Sequence, residues 1–161
     1  MVKKELINEI KEEIKNLERL EKEMNSVLSD IGEEPTFKDI RASASILHDF
    51  YSGIEKIFKR IALVIDNSLP QGENWHIELL SQMAKSFGNV RSRVVSEGLY
   101  EKLKDYLKFR HLFRHIYGFE LKWERFKSIA LSMSAVLDEF KENVRKFTQS
   151  LESKKTKKDK K

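Results

Sequence analysis

The sequence predicts an all-α fold, an up-and-down bundle of about four long helices plus a short helix, and three observations predict it. Large hydrophobes recur at three- and four-residue spacings through most of the 161 residues, as they do in helices that bury one face. Only 6 Gly and 2 Pro are present, too few for the many tight turns of a sandwich or barrel. Glu, Lys and Leu, all strong helix formers, are abundant. The length fits one domain with a single core, read as 1–152, followed at 153–161 by a basic tail, SKKTKKDKK, expected to be disordered and solvated.

The first element is a long amphipathic helix over 1–31. Leu6, Ile7, Ile10, Ile14, Leu17, Leu20, Met24 and Val27 form its apolar stripe, with Glu and Lys opposite. Gly32 and Pro35 end it, and Thr36 is a ready cap for a second helix through Ile40, Ala44, Leu47, Tyr51, Ile54, Phe58, Ile61 and Ile65. NSLPQGENW (67–75) reads as a loop, HIELLSQMAKSF as the short helix and GNVRSRVV as a basic linker carrying Arg91 and Arg93. Ser96 opens a further helix that reaches at least Arg110, with Gly118 as its natural stop. The last helix carries Leu121, Trp123, Phe126, Ile129, Met133, Leu137, Phe140 and Phe147. The first helix packs on this bundle or serves as a coiled-coil arm; both bury the same stripe.

Composition excludes several chemistries. With no Cys in the chain, disulfides, thiolate zinc sites, iron–sulfur clusters and cysteine nucleophiles are all ruled out. No apolar run approaches a membrane span, and the start MVKKELINEIKEE lacks the hydrophobic stretch of a signal peptide. The expectation is a soluble cytoplasmic protein without membrane contact. The net charge of +5 is uneven: residues 1–35 carry a net −4 and residues 153–161 a net +5, while residues 102–127 hold 8 basic and 3 acidic side chains. That concentration favours a polyanionic partner; the terminal lysines either grip it nonspecifically or only solubilise the chain.

Within the basic segment lies the run Phe109-Arg110-His111-Leu112-Phe113-Arg114-His115-Ile116-Tyr117. On an unbroken helix Arg110 and His115 point about 140° apart, so they meet at one substrate only if the helix bends or two copies of the chain share a site. Histidine titrates near neutrality, which suits His115 to take a proton from a ribose 2′-hydroxyl or return one to a leaving 5′-oxygen. The planar, permanently charged fork of Arg110 suits two phosphate oxygens and the charge that gathers on a pentacoordinate phosphorus. Two such pairs across a symmetric homodimer cleft supply base, acid and cations for RNA transesterification without a metal or other cofactor.

At this spacing the sequence resembles the HepT-like toxins of the HEPN superfamily of helical ribonucleases, whose R-x4-H-x-Y motif reads here as Arg110, His115 and Tyr117. The resemblance extends through LHDFYSGIEKIFKRIA (47–62), LPQGENWHIELLSQM (69–83) and LKFRHLFRHIYGFELKWERF (107–126). It implies a metal-independent endoribonuclease, acting as a homodimer and serving as the toxin of a type VII-like toxin–antitoxin pair. It further implies a minimal nucleotidyltransferase antitoxin that transfers AMP to Tyr117, adding charge and bulk beside the site, with Arg110 and His115 as the catalytic pair. Many superfamily members carry Asn after the motif arginine, where this chain has His111. His111 and Arg114 are assigned to substrate binding, with a second proton shuttle left open for His111. The alternative is a non-catalytic HEPN nucleotide-binding partner of a nucleotidyltransferase.

Structural accounts stand beside the functional ones. His115 fits a half-buried histidine near a helix C-terminus, Arg110 and Arg114 fit cations laid over Tyr106 or Phe113, and Tyr117 fits a core aromatic with its hydroxyl at the rim. The resemblance favours function for His115, Arg110 and Tyr117. His111 and His115 share the i, i+4 spacing of metal ligands, but Leu112 stands where a metalloprotease motif has Glu, and no metal is expected. Trp75 and His76 either line the cleft or staple the entry of the short helix. His48, Tyr51 and Glu55 share a helix face and read as a satisfied polar cluster.

Overall fold

A computed structural model describes residues 2–159, with side chains through Ser153. The chain is a helical bundle of four long helices and one short one, α1 (Val2–Asp30), α2 (Phe37–Ile61), α3 (Trp75–Met83), α4 (Glu97–Phe113) and α5 (Trp123–Asp159). Among the described residues the only extended pairing is an isolated antiparallel bridge between Phe87 and Arg91. No described helix is long and apolar enough to cross a membrane.

Local chemistry sets the helix starts. Thr36 and Asp39 form a reciprocal capping box at α2: the Asp39 N–H donates to the Thr36 hydroxyl and the Thr36 N–H donates to the Asp39 carboxylate. Ser96 accepts from the Leu99 N–H at α4, and its own N–H donates to Asn143 Oδ1 of α5 at 2.7 Å, tying the start of one helix to the flank of another. The second helix runs through one π-helical turn, Ala62–Asp66, and stops at Asn67, whose φ of 51° is left-handed; among non-glycine residues asparagine tolerates that conformation best.

The core lies where α1, α2, α4 and α5 meet. Leu6, Ile10, Leu17 and Met24 from α1 join Leu47, Phe50, Ile54 and Phe58 from α2, together with Leu103, Phe126, Leu137, Phe140 and Phe147. α1 therefore packs on the chain's own bundle, chiefly against α2 and also against α5. Gly53 permits the close approach of α1 to α2, since a Cβ there would stand 2.7 Å from Leu17 Cδ2.

Two boundaries differ from expectation. α4 ends at Phe113 rather than running to Gly118. Continuing the helix would send the His115 N–H to the His111 carbonyl; that N–H instead donates to Leu112 O, and the His115 ring takes the His111 carbonyl, so a side chain has displaced a backbone bond. α5 continues through Asp159, carrying helix into the tail expected to be disordered, where lysine is a fair helix former and nothing breaks the run; the last two residues lie outside the described residues, as do the side chains beyond Ser153.

Candidate functional site

The C-terminal half of α4, the start of α3 and the loop before it enclose a cleft of about 730 Å³ lined by Glu73, Asn74, His76, Ile77, Lys104, Leu107, Lys108, Arg110, His111, Arg114 and His115. Four fixed cations and three imidazoles thus face a space in which Glu73 is the only acid. A groove of similar size between α1 and α2, about 690 Å³, contains no histidine and mixes acids with bases.

Arg110 and His115 line this one cleft within a single chain. The 140° separation on an ideal helix does not apply, because the helix has ended before His115 is reached. The His115 Nδ1 lies 2.7 Å from the His111 carbonyl; a carbonyl only accepts, so Nδ1 carries hydrogen and the neutral ring keeps its lone pair on Nε2. The same bond satisfies a carbonyl that the helix end would leave unpaired. The His111 and His115 rings lie 4.3 Å apart, and both are exposed, as is Arg114.

Arg110 is not the surface cation its sequence position allowed. Its side chain is only 6% exposed and meets the carboxylate of Glu55, 5% exposed, with Nη1 at 3.0 Å from Oε1 and Nη2 at 3.2 Å from Oε2. Nη1 also reaches Ser52 Oγ at 3.4 Å, Nη2 lies 2.7 Å from His76 Nδ1, and the guanidinium sits over the Tyr51 ring at 5.2 Å. The end of α4, where carbonyl dipoles favour positive charge, adds to its environment.

Glu55 and His76 are the site residues that sequence reasoning placed least well. The expected cluster of His48, Tyr51 and Glu55 is split. His48 Nδ1 contacts Asp49 and its ring packs on Phe113, whereas Glu55 turns to Arg110 and to His76 Nδ1 at 2.9 Å. The Tyr51 hydroxyl is buried without a hydrogen-bond partner, and burial, with the nearby Glu55 charge, raises its pKa well above the usual tyrosine value. A carboxylate on the apolar stripe of α2, one residue after Ile54 and four after Tyr51, was the available signal that a buried cation had to meet it. His76 lines the cleft and Trp75 does not; the two rings lie 3.6 Å apart between centroids, and Lys59 lies over the indole at 4.3 Å.

Tyr117 is 70% exposed and stacks on Phe119, 77% exposed, with rings 5.2 Å apart and nearly parallel. It is therefore no core aromatic, and it stands outside the cleft, two residues past His115. Arg91 of the basic linker is wholly buried with Asp66 and faces no solvent-borne partner. Among the described residues no group of three or more His, Cys, Asp or Glu is arranged to hold a metal ion.

The family model described as HepT-like protein matches residues 42–151, a span that contains every residue of the cleft. No curated protein and no solved structure matches the chain.

Proposed function

Because this chain belongs to the HepT-like protein family, we propose that it is a metal-independent endoribonuclease, the toxin of a type VII-like toxin–antitoxin pair acting in the cytoplasm. The observation that carries the proposal is the convergence of Arg110, His111, Arg114 and His115 on one cleft with Lys104 and Lys108. The cations attract a phosphodiester. His115, with Nδ1 hydrogen-bonded and Nε2 left over, exchanges a proton at the scissile bond, and Arg110 faces the charge that develops on phosphorus. Arg114 and His111 hold the flanking backbone. Attack by the 2′-oxygen leaves a 2′,3′-cyclic phosphate and a 5′-hydroxyl.

In this reading two copies form a homodimer whose clefts act on one RNA strand. The cognate minimal nucleotidyltransferase silences the enzyme by transferring AMP to Tyr117, whose 70% exposure suits a hydroxyl that another protein must reach. The added phosphate and nucleoside stand next to Arg114 and His115 and obstruct RNA entry.

The test is cleavage of RNA in excess EDTA by the unmodified protein and by His115→Ala, with product ends and intact masses recorded. Cyclic phosphate ends from the wild type, absent with the variant, are expected. Intact RNA after incubation with unmodified dimer would overturn the reading, while a mass excess in AMP steps identifies a silenced sample.

A second reading, a non-catalytic nucleotide-binding partner of a nucleotidyltransferase, draws on the burial of Arg110 and its neutralisation by Glu55. The two part on Arg110→Lys, which keeps a cation beside Glu55: a catalytic Arg110 loses turnover, a binding one loses affinity alone.

A further inference from the structure

Three imidazoles line the cleft, and the R-x4-H-x-Y motif accounts for only one of them. His76 comes from a different helix, 34 residues earlier in the chain than Arg110, and is the most elaborately held of the three. Its Nδ1 lies 2.9 Å from Glu55 Oε2 and 2.7 Å from Arg110 Nη2. Its ring lies against that of Trp75, with Lys59 also over the indole, and its side chain keeps 30% exposure while that of Glu55 keeps 5%.

One nitrogen cannot donate to Glu55 and accept from Arg110 at the same time, so the neutral ring has two tautomers to choose between. With hydrogen on Nδ1, Glu55 Oε2 accepts from both His76 and Arg110, at 2.9 and 3.2 Å, which a carboxylate oxygen with two lone pairs can do. That form sets Nδ1–H against the Arg110 Nη2 hydrogens at 2.7 Å, two donors in contact; with hydrogen on Nε2, Nδ1 instead accepts from Arg110 and faces the Glu55 oxygen at 2.9 Å, two acceptors in contact. Either form gains a charge-assisted bond; Nδ1–H is the one in which the buried carboxylate bonds both its neighbours, and in it Nε2 is the basic nitrogen. A buried carboxylate orienting an imidazole in this way is the arrangement that fixes a general base.

Resting on the ribonuclease reading above, we infer that His76 is a proton-transfer residue of the cleft, oriented by Glu55, and that it is the base while His115 is the acid. Nε2 of His76 takes the ribose 2′-hydroxyl proton as the 2′-oxygen forms its bond to the adjacent phosphorus. The bond from phosphorus to the 5′-oxygen breaks, and that oxygen takes a proton from the His115 imidazolium. The products are a 2′,3′-cyclic phosphate and a 5′-hydroxyl, with one proton gained by His76 and one lost by His115. A single chain then holds both acid and base, and the second copy is not needed to complete the pair.

The test uses the full-length, unmodified protein and a fluorescently labelled single-stranded RNA of mixed sequence. Single-turnover cleavage is followed against pH for the wild type, His76→Asn and His76→Ala, with circular dichroism on each. His76→Asn is the informative variant, because its amide N–H replaces Nδ1–H toward Glu55 while nothing replaces Nε2. Its rate is expected to fall about 10²–10⁴-fold, with loss of the rising limb of the pH profile. A folded His76→Asn that cleaves at the wild-type rate and keeps that limb would overturn the inference while leaving the ribonuclease reading intact. A wild type that cleaves nothing overturns the ribonuclease reading, and this role with it. Ring nitrogen shifts of ¹⁵N-histidine-labelled protein check the assignment without any activity: Nδ1–H is expected for neutral His76, and an Nε2–H tautomer overturns the base assignment outright.

Discussion

The Arg110 guanidinium and the Glu55 carboxylate, 55 residues apart in sequence, form a buried pair with Nη1 to Oε1 at 3.0 Å. Removing one partner strands the other charge in a low-dielectric setting. Glu55→Ala is therefore expected to destabilise the fold by about 3–5 kcal/mol, measured as a lower urea midpoint, whereas Glu55→Asp, which keeps the charge, costs less. Equal midpoints for the two variants would show that the pair contributes through volume alone.

Asp66 and Arg91 form a second buried pair, and it is structural. Arg91 Nε and Nη2 reach Asp66 Oδ1 and Oδ2 at 2.6 and 2.7 Å; Nη2 also donates to Gln82 O, and Nη1 to Lys85 O and Ser92 O. Five donors thus meet five acceptors, and the segment between α3 and α4 is pinned to the end of the second helix. Arg91→Ala is expected to cost about 3–5 kcal/mol and to speed amide hydrogen exchange selectively over 85–95. Arg91→Lys recovers little, since an ammonium cannot reproduce the fork.

Tyr51 couples stability to alkaline pH. Burial raises its pKa, and that of Tyr106, well above the ordinary value; the folded chain therefore holds these protons where the unfolded chain, with tyrosines near 10, releases them. Their contribution is complete below about pH 10 and declines as pH rises beyond it. Stability should fall above that pH, with phenolate absorbance from these two rings appearing only on unfolding. Because the Tyr51 hydroxyl has no hydrogen-bond partner, Tyr51→Phe is expected to leave stability unchanged or raise it, and to flatten the alkaline decline.

If the cleft grips RNA through its cations, salt dependence will count them. Lys108→Ala and Arg114→Ala should each reduce the slope of log affinity against log salt by about 0.7 for a single strand. Arg93→Ala, outside the cleft, should leave it unchanged. Filter binding of a catalytically silent His115→Ala protein at several salt concentrations provides the comparison.

Much of this was legible in the one-dimensional pattern. The apolar spacing located the five described helices, Thr36 and Ser96 marked the starts of α2 and α4 through their capping oxygens, and Arg110, His111, Arg114 and His115, clustered in sequence, line one cleft. Spacing does not encode the end of α4, because what stops the helix is a side chain taking a backbone carbonyl. His48 and Glu55 share a helix face with Tyr51, yet in the folded chain they meet different partners, Asp49 and His76.

By itself, then, the sequence determined what depends on periodicity and local bonding: an all-α bundle, its helix caps, its basic segment and its candidate motif. Tertiary structure alone decided that Glu55 and His76 converge on Arg110, that Arg91 is consumed by Asp66, and that Arg110 and His115 share one cleft. Those outcomes depend on the desolvation of charges that lie tens of residues apart. A buried ion must find a counter-ion wherever packing brings one, and only the folded chain specifies which one that is.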